Sequence, residues 1–321
     1  MPDLDPRPEV LSIGSVNADF QMRIARSPAV SETLPARDFV RLGGGKAANV
    51  AYLACRLGVP ARLIAHVGDD DLAEQALAPL IAAGVDVSGV KKLPGRDTGL
   101  AVVLVPPDGK KGIVLAANAN EAWVEDDMLR VVQAIREAPP GSVLAGDCEV
   151  PGWVLEQALR SAREQGLATV LDPSPAAAVG DALLSRADIV TPNAGEAGQL
   201  TGIECKTPPD ALEAARRLRA RGARAAAVKL PDGGCVYVDA TCAAHIGALT
   251  VDVVDTTGAG DAFAGALAAM RAGGASWLDA VHAGVAAAHL AVGAYGSQPS
   301  YPTRQQIERM MQRLPVDQDV G

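Results

Sequence analysis

Hydrophobic positions in this chain follow two alternating periods. Short apolar runs bounded by glycine or proline recur at 10–14, 61–67, 168–172, 225–230 and 235–238, with others at 142–146 and 189–191. Such runs predict buried strands, because a strand covered on both faces needs apolar side chains pointing both ways. Between them the spacing lengthens to that of a helix. Val50, Leu53, Ala54 and Leu57 share one helical face, and Gly58 before Pro60 is a natural stop. Further helices are expected over 70–83, 154–165, 195–200, 209–221, 260–272 and 276–292. Repeated strand–helix units predict an α/β fold with a mostly parallel central sheet and helices on both faces.

Two segments interrupt the alternation. Residues 20–42 mix charges, two prolines and short β-like pieces at 21–24 and 39–42. They read as an insertion of strands and turns projecting from the main body. Residues 100–105 and 112–115 flank Pro106-Pro-Asp-Gly109, which predicts a hairpin within 98–118. Taken together, residues 1–321 read as one domain carrying these two insertions.

Composition narrows the function classes. The 321 residues carry 29 Lys plus Arg against 38 Asp plus Glu, a net charge of −9. Nucleic-acid and anionic-membrane partners are disfavoured, because phosphate surfaces reward clustered positive charge. At 3% aromatic residues, a base-stacking platform is disfavoured too. The five cysteines are scattered and form no C-x-x-C or Cys/His cluster, so neither a disulfide framework nor zinc is indicated. The longest stretch without Asp, Glu, Lys or Arg, 280–303, reads as a buried helix and loop rather than a membrane span. The acidic, Pro-rich amino terminus is unlike a signal peptide, and a cytoplasmic location is expected.

The strongest candidate chemistry lies in Val254-Asp-Thr-Thr-Gly-Ala-Gly-Asp261. Gly258 and Gly260 permit a sharp turn and a close backbone approach. The helix that follows points free amides and its positive dipole end at whatever sits above it. Asp261 falls in the first turn of that helix. A bare anion site gains nothing from a carboxylate, whereas one that must also remove a proton needs it. In isolation the same residues would read as a helix start with a tight turn.

A second glycine-rich segment, Gly43-Gly-Gly-Lys-Ala-Ala-Asn49, suits close approach to a polyhydroxylated ligand. It formally matches a dinucleotide fingerprint, but no clean strand leads into it. Lys46 is followed by Ala47, so it is not a P-loop. Asn17 and Asp19, at the expected end of the first strand, read equally as sugar ligands and as a turn.

Gly44-Gly-Lys-Ala-Ala-Asn49 and Asp255-Thr-Thr-Gly-Ala-Gly-Asp261 resemble the two signature regions of the ribokinase-like (PfkB) family of carbohydrate and nucleoside kinases. Ser15-Val-Asn-Ala-Asp19, Ala117-Asn-Ala-Asn120, Thr191-Pro-Asn-Ala-Gly-Glu196 and Gly296-Ser-Gln-Pro-Ser300 extend the resemblance over nearly the whole chain. It implies a ribokinase-like fold with a small β lid and in-line phosphoryl transfer from ATP to a sugar's primary hydroxyl. Asp261 would be the base, and the amides of Gly258, Ala259 and Gly260 the anion hole. Asn17, Asp19, Gly45, Lys46, Asn49 and Glu149 would hold the sugar. Asn193, Lys229, Asp232, Gly234 and Gly260 would meet the nucleotide. Glu196 would order hydrated Mg²⁺. Asp255, Thr257, Ala291, Ala294, Gly296 and Ser300 would form a K⁺ site. The insertion at 20–42 would be the lid and a homodimer contact.

The chain departs from the family pattern at four places. Pro231 replaces a usual Gly and removes a backbone donor, Lys229 replaces Thr, Ala47 replaces Gly, and Tyr295 adds bulk. Ribose is the first-choice acceptor the resemblance implies. A fructokinase-like sugar is an alternative, and so is a nucleoside walled by Phe20 or Phe39. A dinucleotide oxidoreductase and a non-catalytic sugar sensor are the rival classes.

Overall fold

The first strand, β1 (Val10–Ile13), runs through the middle of the protein, and its side chains alternate between two cores. Val10 joins the core on one side of the sheet, and Leu11 and Ile13 join the core on the other. The computed structural model describes residues 7–318, so the extreme amino terminus, read above as unlike a signal peptide, lies outside the described residues.

From β1 the chain forms β2 (Asn17–Arg23), β3 (Val40–Gly44), α1 (Lys46–Arg56), β4 (Ala61–Gly68), α2 (Asp71–Ala82) and β5 (Val90–Leu93). Next come β6 (Gly99–Val105), β7 (Gly112–Ala116), α3 (Asp127–Glu137), β8 (Val143–Asp147), α4 (Gly152–Glu164) and β9 (Ala168–Asp172). The series continues through α5 (Asp181–Leu184), β10 (Ile189–Val190), α6 (Ala194–Thr201), α7 (Pro208–Ala220), β11 (Ala225–Lys229), β12 (Cys235–Val238) and β13 (Ala243–Ile246). It ends with α8 (Ala259–Ala272), α9 (Trp277–Ala291), α10 (Arg304–Met311) and β14 (Val316–Gln318).

Ten strands form the main sheet in the order β14-β13-β12-β11-β10-β9-β8-β1-β4-β5. Pairing is parallel from β11 through to β5 and antiparallel at β11–β12–β13–β14. One face is covered by α1, α2, α8, α9 and α10, and the other by α3 to α7. The chain leaves β1 for β4 on one side and later returns to β8 on the other. This reversal opens a crevice at the carboxyl ends of β1 and β8, where ligands of such sheets bind.

The two interruptions in the sequence pattern meet in a second sheet, ordered β3-β2-β6-β7. Its alternation is clear in β6, where Gly99, Ala101, Val103 and Val105 are buried and the residues between them are half-buried.

Several expectations need correction. Asn17 and Asp19 do not sit in a turn after β1; the small sheet begins at Asn17 and carries both. A strand, β3, does lead into the Gly43 segment, but it pairs antiparallel with β2 in the small sheet. It therefore lacks the parallel strand–helix–strand setting that dinucleotide binding requires. The two Ala-rich helices are followed by α10 and β14. Helix α3 was missed although Met128, Val131 and Ile135 recur at helical spacing, and the short strands β5, β13 and β14 were missed as well. Among the described residues Cys55, Cys148, Cys205 and Cys235 are free thiols, and no helix is long and apolar enough to cross a membrane.

Candidate active site

A cavity of about 880 Å³ lies between the carboxyl ends of the main sheet and the inner face of the small one. Both glycine-rich segments open onto it. At Gly258 the backbone adopts φ 73°, and a Cβ there would come within 2.6 Å of the Ser297 side chain and 2.7 Å of the Tyr301 hydroxyl. Only glycine fits both the conformation and the space. The turn starts α8, whose first amides have no acceptor within the helix. The Ala259 amide makes a long 3.3 Å bond to the Thr256 carbonyl, so it is less free than the sequence suggests. The amides of Gly260 and Asp261 follow it at the helix start, beside the cavity.

Asp261 is buried in this first turn. Its Oδ2 accepts a 2.7 Å hydrogen bond from Asn49 Nδ2, and Asn49 Oδ1 accepts one of 3.0 Å from Gln298 Nε2. Lys46 Nζ lies 3.7 Å from Asp261 Oδ1 and 3.3 Å from Asp172 Oδ2. Burial draws the Lys46 ammonium down, but Asp172, Asp261, Glu149 and Asp147 outweigh it and hold it well above its ordinary value.

The end of the cavity around Asp261 is rich in acceptors. Asp19 is buried, and its carboxyl is pushed up to about 8, first by burial and then by Asp261 and Glu149. Burial also raises Glu149, against the pull of Lys46. Burial and Glu149 raise Asp147, whose oxygens accept from the amides of Ser15 and Glu149 at 3.1 and 3.0 Å. Glu149 Oε2, Asp172 Oδ1 and Gln298 Oε1 are buried acceptors with no donor. Asn17 Oδ1 accepts from Asn120 Nδ2 at 2.8 Å. Gly44 lies flat against Asp19, since a Cβ there would sit 2.1 Å from its carboxylate oxygen. Gly45, the residue before α1, lines the cavity as well.

At the opposite end, Val251, Val253, Val285, Ala288 and Val292 make an apolar wall. Asn193 and Glu196 face this end but cap α6 reciprocally. Asn193 Oδ1 accepts from the Glu196 amide at 2.9 Å, and Glu196 Oε2 from the Asn193 amide at 2.8 Å. Asp232 turns its Oδ1 to the Gly234 amide at 2.8 Å. Pro231 sits second in a turn closed by Gly233 N donating to Leu230 O at 3.1 Å. Its fixed φ suits that position, and its missing donor is not needed there. Lys229 is not simply solvated: its ammonium lies 5.3 Å from the centre of the Phe263 ring, beside Gly260.

The residues expected around a monovalent cation also converge. Asp255 is fully buried. It accepts from Thr257 N and Oγ1 at 2.8 and 2.6 Å, from Gly296 N at 2.9 Å and from Gln21 Nε2. All four donors are neutral, so a cation beside this carboxylate would complement it. Ala291 ends α9, Ala294 follows in the same loop, and Ser300 Oγ donates to Ser297 O at 2.7 Å. No cluster of three or more His, Cys, Asp or Glu able to hold a metal occurs among the described residues.

Phe20 and Phe39 do not wall the cavity. They stack on each other at 5.8 Å, and the cavity-lining neighbour of Phe20 is Asp19, on the opposite face of β2. Asp147, Asp172, Lys111 and Gln298 escaped the reading of individual side chains. The two aspartates close strands β8 and β9, and a carboxylate at that end of a parallel strand was the available signal.

Residues 7–304 match the profile described as pfkB family carbohydrate kinase. A ribokinase of Haemophilus influenzae is 32% identical over 92% of this chain and 95% of its own length. A deoxyribokinase of Salmonella typhi is 28% identical over 94% of this chain and 98% of its own. The structure of Arabidopsis thaliana ribokinase complexed with ribose and ATP superposes with a TM-score of 0.79 at 28% identity, covering 95% of this chain and 99% of that one.

Proposed function

Because the chain belongs to the pfkB family of carbohydrate kinases, we propose that it transfers the γ-phosphoryl group of ATP to the primary hydroxyl of a pentose, ribose first. The observation that carries this reading is the pairing of two features around one side chain. Asp261 stands at the amide-rich start of α8 and also faces a pocket of acceptors that lack donors, among them Glu149 Oε2 and Asp172 Oδ1. A polyhydroxylated ligand supplies several O–H donors at once, and the helix start receives a phosphoryl group.

The mechanism follows from what each group can do. Asn17, Asp19, Lys46, Asn49 and Glu149 orient the sugar. Asp261 takes the proton of the attacking hydroxyl, a contribution of about 10²–10⁴-fold for a general base. The amides of Gly258, Ala259 and Gly260 receive charge developing on the transferring group. Asn193, Lys229, Asp232 and Gly234 border the nucleotide, whose base meets the valine wall. Glu196 would hold hydrated Mg²⁺, which when bound would supply charge neutralisation for the phosphates. Asp255, Thr257, Ala291, Ala294, Gly296 and Ser300 would hold K⁺, which would supply positive charge near the amides that receive the phosphoryl group.

Closure excludes water that would otherwise hydrolyse ATP. The small sheet is the lid of one continuous domain. Its Ile113 and Leu115 line the cavity yet are 49% and 40% exposed, apolar surface that closure over a sugar would cover. Its outer face exposes Val114 and Phe39, which supports a homodimer through the lid.

A nucleoside acceptor is less favoured, because Phe263 is the one Phe, Tyr or Trp among the described residues lining the cavity. The test is a coupled ADP-release screen of ribose, deoxyribose, fructose, adenosine and inosine, with and without K⁺. Fastest turnover with ribose supports the reading; turnover with nucleosides alone would overturn it.

A further inference from the structure

The turn of the second lid hairpin carries two adjacent lysines with opposite fates. Lys110 is exposed, as a turn lysine ordinarily is. Lys111 turns inward, lines the cavity and donates from Nζ to the Thr256 carbonyl at 2.7 Å. Two further contacts fix the hairpin on the same residue: Thr256 Oγ1 and Thr256 N both donate to Gly109 O, at 2.9 and 3.3 Å. Thr256 lies two positions before Gly258, so the ammonium is held against the turn that starts α8.

An ammonium has three donors, and its hydrogen bond to the Thr256 carbonyl uses one of them. Lys111 is half-buried, and the carboxylates of Asp261, Asp255 and Asp19 attract it; its spare donors stand beside the Gly260 and Asp261 amides at the helix start, where an incoming anion would meet both.

We propose that Lys111 is a catalytic residue borne by the lid, whose ammonium contacts the transferring γ-phosphoryl group. This rests on the phosphotransfer reading above. In the step, the sugar oxygen bonds to the γ-phosphorus and its proton passes to Asp261. The bond from that phosphorus to the β–γ bridging oxygen breaks, and ADP leaves with the electron pair. Lys111 forms no covalent bond. It stabilises the equatorial oxygens while the hairpin is seated, which ties phosphoryl transfer to a docked lid.

The test compares wild type with Lys111→Met, Lys111→Arg and Lys110→Met, using ADP release and calorimetric binding of ADP and a non-hydrolysable ATP analogue. Lys111→Met is expected to lose about 10²-fold in kcat, the scale for one anion-stabilising donor, with the sugar KM changed by less than about threefold. It should also lose the preference for the ATP analogue over ADP while binding ADP as before. Lys111→Arg should recover much of the loss, and Lys110→Met should match wild type. The inference is overturned if Lys111→Met keeps both its kcat and its analogue preference. A defect confined to the sugar KM, which would mark an acceptor contact, also overturns it. A wild-type protein that phosphorylates no sugar defeats the underlying reading instead, and the nucleotide-binding comparison still decides the role of Lys111.

Discussion

Asn49 donates a 2.7 Å hydrogen bond to Asp261, although the two residues are 212 positions apart in the chain. The bond joins the start of α1 to the start of α8, and so joins the two glycine-rich segments into one site. Gln298 fixes the Asn49 amide by donating to its oxygen, which leaves the nitrogen facing the carboxylate. Misplacing a reacting group by about 1 Å can cost about 10²-fold. Asn49→Ala should therefore lower kcat by about that factor, and Gln298→Ala by less, with both proteins folded by circular dichroism. Wild-type kcat in Asn49→Ala would show that Asp261 needs no such positioning.

Gly44 packs against Asp19 with no room for a side chain. Gly44→Ala must displace the carboxylate or the strand. It should raise the sugar KM at least tenfold and destabilise the fold by about 1–3 kcal/mol, the usual cost of overpacking. Steady-state kinetics and thermal melts check both, and an unchanged KM would remove Asp19 from the sugar contacts.

Asp19 also makes stability depend on pH. Its carboxyl is raised to about 8 in the fold, against about 3.9 in an unfolded chain. Between those values the folded protein holds a proton that the unfolded chain lacks. This contribution is fully present below the unfolded value and is lost as pH rises towards 8. Melts from pH 5 to 9 should show Tm falling more steeply in wild type than in Asp19→Asn. Parallel curves would mean that Asp19 is ionised throughout.

Much of the architecture was legible because strands covered on both faces are apolar and end in glycine, as at 10–14. Of the small sheet, the hairpin at 100–105 and 112–115 and the piece at 39–42 were legible as strands, but their meeting in one sheet was not. Its first strand was hidden because Asn17, Asp19 and Gln21 are polar residues buried on an inner face, the inverse of the usual strand pattern. Motif residues such as Asp261 and Asn49 could be found from local spacing. Lys111 could not, since nothing in Asp108-Gly-Lys-Lys111 says which lysine turns inward. The capping duties of Asn193 and Glu196 likewise emerge only from geometry.

Asp255 is buried and receives four neutral donors. Turnover should be several-fold faster in K⁺ than in choline buffer, and Asp255→Asn should abolish the difference while lowering the rate. Equal rates in the two buffers for wild type would remove the cation from the mechanism.

The most direct test is the kcat of Asp261→Asn with ribose and ATP, measured beside its calorimetric affinity for ribose. The amide keeps the shape and a hydrogen-bond acceptor but cannot take a proton. The expected result is ribose affinity close to wild type and a kcat lower by about 10²-fold or more. A variant that binds ribose normally and retains more than about a tenth of wild-type kcat, short of the smallest such effect, would contradict the assignment of Asp261 as the base.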